Sequence, residues 1–209
     1  WWLQRSEGWA LRWSDRLIAD NRQVVRHYRQ HYGREPVYIA YGANPAPQRE
    51  PAGELARWDL RPKGYLLYVS RLSPENEAAL LLQAYRDAGD LPPLVMVGPT
   101  GYEKRYARQL QKLATDRVRF TGPVYGEGYR ALSQNCLLFV LPSAIEATRL
   151  VLLDQMAFGN AVLFRDAPAT REVIGDAGHP FDPREPVPAL RDALRDLATR
   201  PERCAELGR

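Results

Sequence analysis

Cysteine is scarce in this chain. Cys136 and Cys204 are the only two, and neither stands in a paired metal-ligand spacing or beside a histidine, so a reducing, cytoplasmic setting is the expectation. Histidine is almost as rare. His27 and His31 lie four apart in a helical stretch, but with His179 remote and no third ligand in view they are not expected to hold a metal. The carboxylates form no cluster and no Asp-x-Asp pair, which leaves no recognisable divalent-cation motif. No run approaches the roughly 20 apolar residues that span a bilayer, and the first residues carry no secretory pattern. Internal repeats and low-complexity tracts are lacking too. An initiator methionine is missing, since the chain opens on Trp1, and the expectation is a portion of a longer protein.

What is present suits an ordinary α/β core. At 209 residues and 45% hydrophobic content the chain can build one sizeable core, or one domain with an appendage. Lysine and arginine number 29 against 25 acids, a formal charge of +4 that fits an anionic partner. The arginines alternate with acids, as in Leu190-Arg191-Asp192-Ala193-Leu194-Arg195-Asp196, the pattern of a solvated helix face. No basic stripe with interleaved aromatics occurs, so no nucleic acid partner is expected.

From Gly64 onward short apolar runs alternate with longer amphipathic segments. Strands are expected at Tyr65 to Ser70, Leu94 to Val97, Val118 to Thr121, Leu137 to Leu141, Ala161 to Phe164 and Pro180-Phe181. Helices are expected around Asn76 to Arg86, Glu103 to Ala114, Gly126 to Ser133, Leu150 to Phe158, Ala169 to Ile174 and Val187 to Ala198. Continuous apolar strands joined by crossover helices predict a doubly wound parallel sheet covered on both faces. Upstream, Arg16 to Ala19 and Val37 to Ala40 read as strands flanking a helix from Arg22 to Tyr32. Pro45, Pro47, Pro51 and Gly53 then break any pattern, so residues 45–63 read as a linker or loop between 1–44 and a main domain at 64–209.

In an open parallel sheet, ligands bind beyond the carboxyl ends of the strands. Arg71 follows the first core strand. Gly98-Pro99-Thr100-Gly101-Tyr102 follows the second, Gly122-Pro123-Val124-Tyr125 the third, and Pro142 to Arg149 the fourth. A helix beginning near Thr148 would offer free backbone N–H groups to a phosphate, and Arg71 a bidentate cation, so one polyanionic ligand can account for all four loops. Each loop taken singly also has a structural explanation: Arg71 pairing with Glu75 or Glu77, glycines making a turn, Tyr125 covering a sheet edge. No Gly-x-Gly-x-x-Gly follows the first core strand, which disfavours a nicotinamide dinucleotide. Asp154 shares its helical stripe with Leu150, Val151, Ala157 and Phe158. Burying an unpaired carboxylate costs several kcal/mol or more, so Asp154 should face a protein donor or ligand hydroxyls, unless it lies on a solvated edge that Gln155 marks.

Glu146 and Asp154, separated by seven residues, complete a recognisable pattern. With Pro142-Ser143 before them, Gln155-Met156-Ala157-Phe158-Gly159-Asn160-Ala161-Val162 and Arg171-Glu172-Val173-Ile174 after them, and Val69-Ser70-Arg71-Leu72, Met96-Val97-Gly98 and Phe120-Thr121-Gly122 upstream, the chain resembles the retaining, nucleotide-sugar-dependent glycosyltransferases of family four (group 1), whose signature is Glu-x7-Glu. Arg71-Leu72-Ser73-Pro74-Glu75-Asn76 and Gly98 to Tyr102 look most like its rhamnosyltransferase-type subgroup.

The resemblance implies a Rossmann-like C-terminal, donor-binding domain of the GT-B fold, with residues 1–44 closing the acceptor domain and crossing between domains. It implies that Arg71 neutralises the donor diphosphate, that Glu146 contacts the transferred sugar, and that Asp154 binds the ribose. Backbone amides of Ala147, Thr148, Arg149 and Leu150 would meet the phosphates, Asn76 and Gly98 would belong to the donor site, and Val124 and Tyr125 would border the base. Asn76 stands where the family often has lysine, Ala147 where it has glycine, and Asp154 where it has glutamate. Arg149 is expected to replace the missing lysine charge, its alternative being an exposed residue beside the helix cap. The implied reaction moves a sugar from a nucleotide diphosphate to a saccharide or lipid-linked hydroxyl acceptor with retention, in bacterial surface polysaccharide synthesis. No cofactor is implied beyond the nucleotide-sugar substrate. Cytoplasmic location follows, with peripheral contact at the inner face of the cell membrane, and the chain alone is expected to bind donor without transfer. A non-catalytic nucleotide-sugar-binding module, or a GT-B sugar-nucleotide epimerase, remain as alternatives.

Overall fold

The computed structural model describes residues 2–43, 52–100, 104–144 and 149–208. Glu146, Ala147 and Thr148 of the expected site, together with Gly101 and Tyr102, lie outside the described residues. The chain divides into two compact units, Trp1–Gly42 and Ala43–Arg209.

The first unit contains helix α1 (Trp2–Trp13), strand β1 (Ile18–Ala19), helix α2 (Arg22–Tyr32) and strand β2 (Val37–Tyr38). No element was expected before Arg16, so α1 is an addition. Parallel pairing of β1 with β2 makes α2 a crossover. Helix α2 starts because the Asn21 side chain accepts the Val24 N–H at 2.9 Å, and stops at Gly33 in the left-handed region with φ 61°. His27 and His31 stack at 4.4 Å between ring centroids, and the His31 Nδ1 lies 3.0 Å from the His27 carbonyl.

The second unit is an α/β Rossmann-like domain. Its strands are β3 (Leu66–Val69), β4 (Leu94–Val97), β5 (Val118–Gly122), β6 (Leu138–Leu141), β7 (Val162–Arg165) and β8 (His179–Phe181). All pair in parallel in the order β5-β4-β3-β6-β7-β8. The helices are α3 (Ala78–Ala88), α4 (Lys104–Leu113), α5 (Gly126–Asn135), α6 (Leu150–Ala157), α7 (Pro168–Ile174), α8 (Pro186–Ala198) and α9 (Pro201–Leu207).

The strand alternation explains the two layers. Leu66, Tyr68, Leu94, Met96, Leu138, Val140 and Leu163 join α3, α4, α8 and α9 in one buried cluster. Tyr65, Leu67, Val95, Val97, Phe139, Leu141, Val162 and Phe164 join Leu132 of α5, Leu152 of α6 and Ile174 of α7 in the other. Successive side chains point to opposite faces, so a continuous apolar run feeds both cores.

Three details depart from the sequence expectation. The segment read as a linker or loop holds, from Ala52 to Trp58, a 3-10 helix whose Leu55 is completely buried in the second cluster, and Leu60 is buried beside it. Asn76 ends a short 3-10 turn, Pro74–Asn76, and α3 begins only at Ala78, because Glu77 takes the left-handed region with φ 57° and interrupts the helix. Gln155, read as a mark of a solvated edge, is fully buried.

His179 gives a pH test of stability. Burial, reinforced by Arg203, pushes its imidazole below the ordinary value, while Asp196 opposes the shift. A histidine whose folded pKa is depressed is protonated first in the unfolded chain. Stability is therefore retained above the unfolded value of about 6.5 and declines as pH falls through that value toward the folded one. Chemical denaturation at pH 7.5 and 5.5 should show this decline, and His179→Gln should flatten it.

Candidate functional site

Strand order locates the switch point. The chain runs from β3 outward through β4 to β5, then returns to the other side of β3 at β6. The crevice outside the carboxyl ends of β3 and β6 is where open α/β sheets place ligands. Among the described residues its walls carry Arg71 to Asn76, Pro142 to Ala144 and Arg149.

Neighbouring loops continue the sheet's hydrogen bonding beyond the strands. Ser70 N–H donates to the Val97 carbonyl at 3.0 Å, Leu72 N–H to Pro99 at 2.9 Å, and Gly98 N–H to Gly122 at 2.9 Å. Gly98 adopts φ 143°, and a Cβ there would sit 1.9 Å from the Ser70 carbonyl oxygen. The close approach that requires glycine at 98 is therefore to the protein's own backbone.

The loop after β3 folds around Asn76. This side chain is 2% exposed; its Nδ2 donates to the Arg71 carbonyl at 3.0 Å and to Ser73 Oγ at 2.9 Å. The Tyr68 hydroxyl, in turn, donates to the Asn76 carbonyl at 3.2 Å. With both amide hydrogens committed, Oδ1 is the remaining function, and it accepts Nη1 of Arg149 at 3.0 Å. Nη2 of Arg149 donates to Ser143 Oγ. Asn76, expected in the donor site, is enclosed by protein partners, with its Oδ1 turned toward Arg149.

Arg149 precedes α6 as its N-cap residue and is half-buried. Among the described residues its side chain bonds only to the neutral oxygens of Asn76 and Ser143, and its buried Nε has no hydrogen-bond partner. Desolvation is the first cause that pushes its pKa down; the adjacent positive charge of Arg71 adds to it, while Tyr68 and Glu75 oppose. Arg71 itself is exposed. The crevice thus holds two guanidinium groups, one free in solvent and one fixed. An anion entering it would relieve both the repulsion and the desolvation.

A second group of expected residues lies along α5 and α6. Asp154 Oδ2 accepts the Tyr129 hydroxyl at 2.9 Å, so a protein donor serves one of its oxygens. Burial, then the Asp154 charge, raises the Tyr129 pKa far above its usual value and keeps the phenol protonated as that donor. Gln155 Nε2 donates to Ser133 Oγ at 3.0 Å, and Asn160 Nδ2 donates to Gln155 Oε1 at 2.7 Å. Tyr125 is the N-cap residue of α5 and 81% exposed, whereas Val124 is part-buried and packs against the second core cluster. Leu150 opens α6 and is 55% exposed. Tyr129 and Ser143 were not named as site residues. Tyr129 carried no motif signal, and Ser143 had one only as part of Pro142-Ser143.

The fold and the switch-point crevice define a Rossmann-like domain of the GT-B type. Residues 63–200 match the family Glycosyl transferases group 1, and the chain belongs to that family. O-antigen chain mannosyltransferase B of Escherichia coli is 31% identical over 69% of this chain and 42% of the relative. D-inositol 3-phosphate glycosyltransferase of Salinispora tropica is 29% identical over 88% of this chain and 44% of its own length. The chain thus spans less than half the length of these curated relatives. Among solved structures, Anabaena Alr3699/HepE in complex with UDP and glucose superposes with a TM-score of 0.84 at 20% identity, covering 99% of this chain and 59% of that one. Sucrose-phosphate synthase from Thermosynechococcus elongatus gives 0.79 at 21%, covering 94% and 52%. At such identities the likeness is one of fold. Among the described residues no helix is long and apolar enough to cross a membrane.

Proposed function

We propose that the chain is the donor-binding, C-terminal part of a retaining glycosyltransferase that moves a sugar from a nucleotide diphosphate to a saccharide or lipid-linked hydroxyl. In this reading residues 1–44 close the acceptor domain and cross to the donor domain, and the enzyme works in the cytoplasm on bacterial surface polysaccharide. The mannosyltransferase relative supports the polysaccharide setting. The rhamnosyltransferase-type assignment rests on the Arg71 to Asn76 and Gly98 to Tyr102 segments alone.

One observation carries the proposal: Arg149, clamped by Asn76 at the switch point, lies close enough to Arg71 to feel its charge and forms no ion pair among the described residues. As the glycosidic bond breaks, negative charge grows on the departing diphosphate. Cations fixed there stabilise the transition state more than the ground state. Arg71 and Arg149 take this role, without a divalent metal or other cofactor. Glu146 contacts the transferred sugar, and Asp154 offers the ribose its Oδ1, which has no hydrogen bond among the described residues. Tyr125 borders the base.

A thermal-shift panel of UDP, GDP, ADP, CDP and dTDP, with the matching nucleosides, tests this. One diphosphate at a hundred times its Kd should stabilise the chain by about 2.7 kcal/mol. For a domain of this size that raises Tm by about 5–10 °C. No response to any diphosphate would overturn the donor site. Binding and transfer are then separated by supplying the enzyme with the matching nucleotide sugar and a lipid-linked acceptor, because a non-catalytic module binds without releasing nucleoside diphosphate.

A further inference from the structure

An unusual polar arrangement among the described residues is a buried carboxamide holding a guanidinium that forms no ion pair there, Glu75 acting on it only without direct contact. Asn76 uses both amide hydrogens on its own loop and presents only Oδ1, 3.0 Å from Arg149 Nη1. Ser143, itself buried, engages the neighbouring nitrogen, while its hydroxyl lies 3.4 Å from the Glu75 carbonyl. Two neutral oxygens thus hold a half-buried cation from two loops that are 73 positions apart in sequence at the Arg149–Asn76 contact. Neutral acceptors fix a guanidinium without cancelling its charge. An acid in either place would have done the opposite.

We propose that Asn76 and Ser143 are positioning residues for Arg149, and that Arg149 delivers to the donor diphosphate the positive charge that a lysine at position 76 would otherwise supply. The proposal rests on the donor-site reading above and deepens it. A lysine at 76 and an arginine at 149 would be mutually exclusive, since two cations would then occupy one buried contact beside Arg71. Asparagine at 76 is therefore the complement of arginine at 149. The unbonded Nε–H fits the same account, because a buried donor without an acceptor is a standing cost that an arriving phosphate oxygen removes.

The test uses Arg149→Met and the double variant Asn76→Lys/Arg149→Met, with calorimetric titration of inorganic pyrophosphate, the five nucleoside diphosphates and their nucleosides. Arg149→Met should weaken diphosphate and pyrophosphate binding by about tenfold or more, the loss expected for one charge-assisted contact, and leave nucleoside binding unchanged. Its Tm should hold within about 3 °C of the parent, since relief of the desolvation of a half-buried guanidinium offsets the two hydrogen bonds lost to Asn76 and Ser143. The double variant should recover most of the lost diphosphate affinity, because the charge has moved back to position 76. A merely structural Arg149 would instead lower Tm and weaken nucleoside and diphosphate together, with no recovery in the double variant, and that pattern overturns the proposal. A parent chain that binds diphosphate while Arg149→Met binds it equally well also overturns it, leaving the donor site intact. A parent chain that binds no diphosphate overturns both.

Discussion

Gly98→Ala should cost about 4 kcal/mol or more, a large part of the 5–15 kcal/mol that holds a typical domain together. Two penalties act at once. The residue has φ 143°, a region that side chains with a Cβ rarely enter, and the new methyl group would meet the Ser70 carbonyl oxygen at 1.9 Å. Neither partner can yield cheaply. The Ser70 backbone is held by its N–H bond to Val97, and Gly98 by its own to Gly122, so relief means separating the ends of β3, β4 and β5. Differential scanning calorimetry should show Tm lower by about 10 °C or more, with a matching fall in soluble yield. An alanine variant of parental Tm would show that the two loops can move apart freely, contrary to this packing.

Gln155→Leu should cost about 3 kcal/mol, despite a similar size and a more apolar side chain, because a buried polar network loses its centre. Gln155 joins α6 to Ser133 of α5 and accepts from Asn160, which also donates to the Ser133 carbonyl at 2.7 Å. Leucine leaves the Ser133 hydroxyl and one Asn160 amide hydrogen short of partners. A Tm drop of about 6–12 °C is expected for a domain of this size. The change should also loosen the Tyr129 hydroxyl, which lies 3.4 Å from Gln155 Nε2 and holds Asp154. Intrinsic fluorescence or near-ultraviolet dichroism of the tyrosines should report that loosening below the melting transition. An unchanged Tm would mean that the network contributes nothing net.

The two substitutions differ in how far sequence anticipated them. Gly98 was read as a turn glycine or as part of the donor site, and the group that approaches it is Ser70, two strand ends having been brought together by pairing of β3 with β4. Gln155 was read as a possible solvated edge, and it is fully buried. Its burial depends on α5 lying across α6, which no local pattern encodes. Asp154 illustrates the same limit. Helical spacing required some partner for it, but Tyr129, 25 positions earlier, was identified only by the packing.

The sequence by itself determined the alternation of strands and helices, the parallel doubly wound sheet and the loops at its carboxyl end. Those follow from local rules: short continuous apolar runs, amphipathic helices, and stops such as Gly159 with φ 68°. Tertiary structure alone decided that β3 lies between β4 and β6, that Leu55 belongs to the core, and that Arg149 meets Asn76. The reason is physical. Hydrophobic period reports which face a residue turns inward, whereas a contact between positions 73 apart depends on which edge of the sheet the returning chain joins, and that choice is made by the packing of the whole domain.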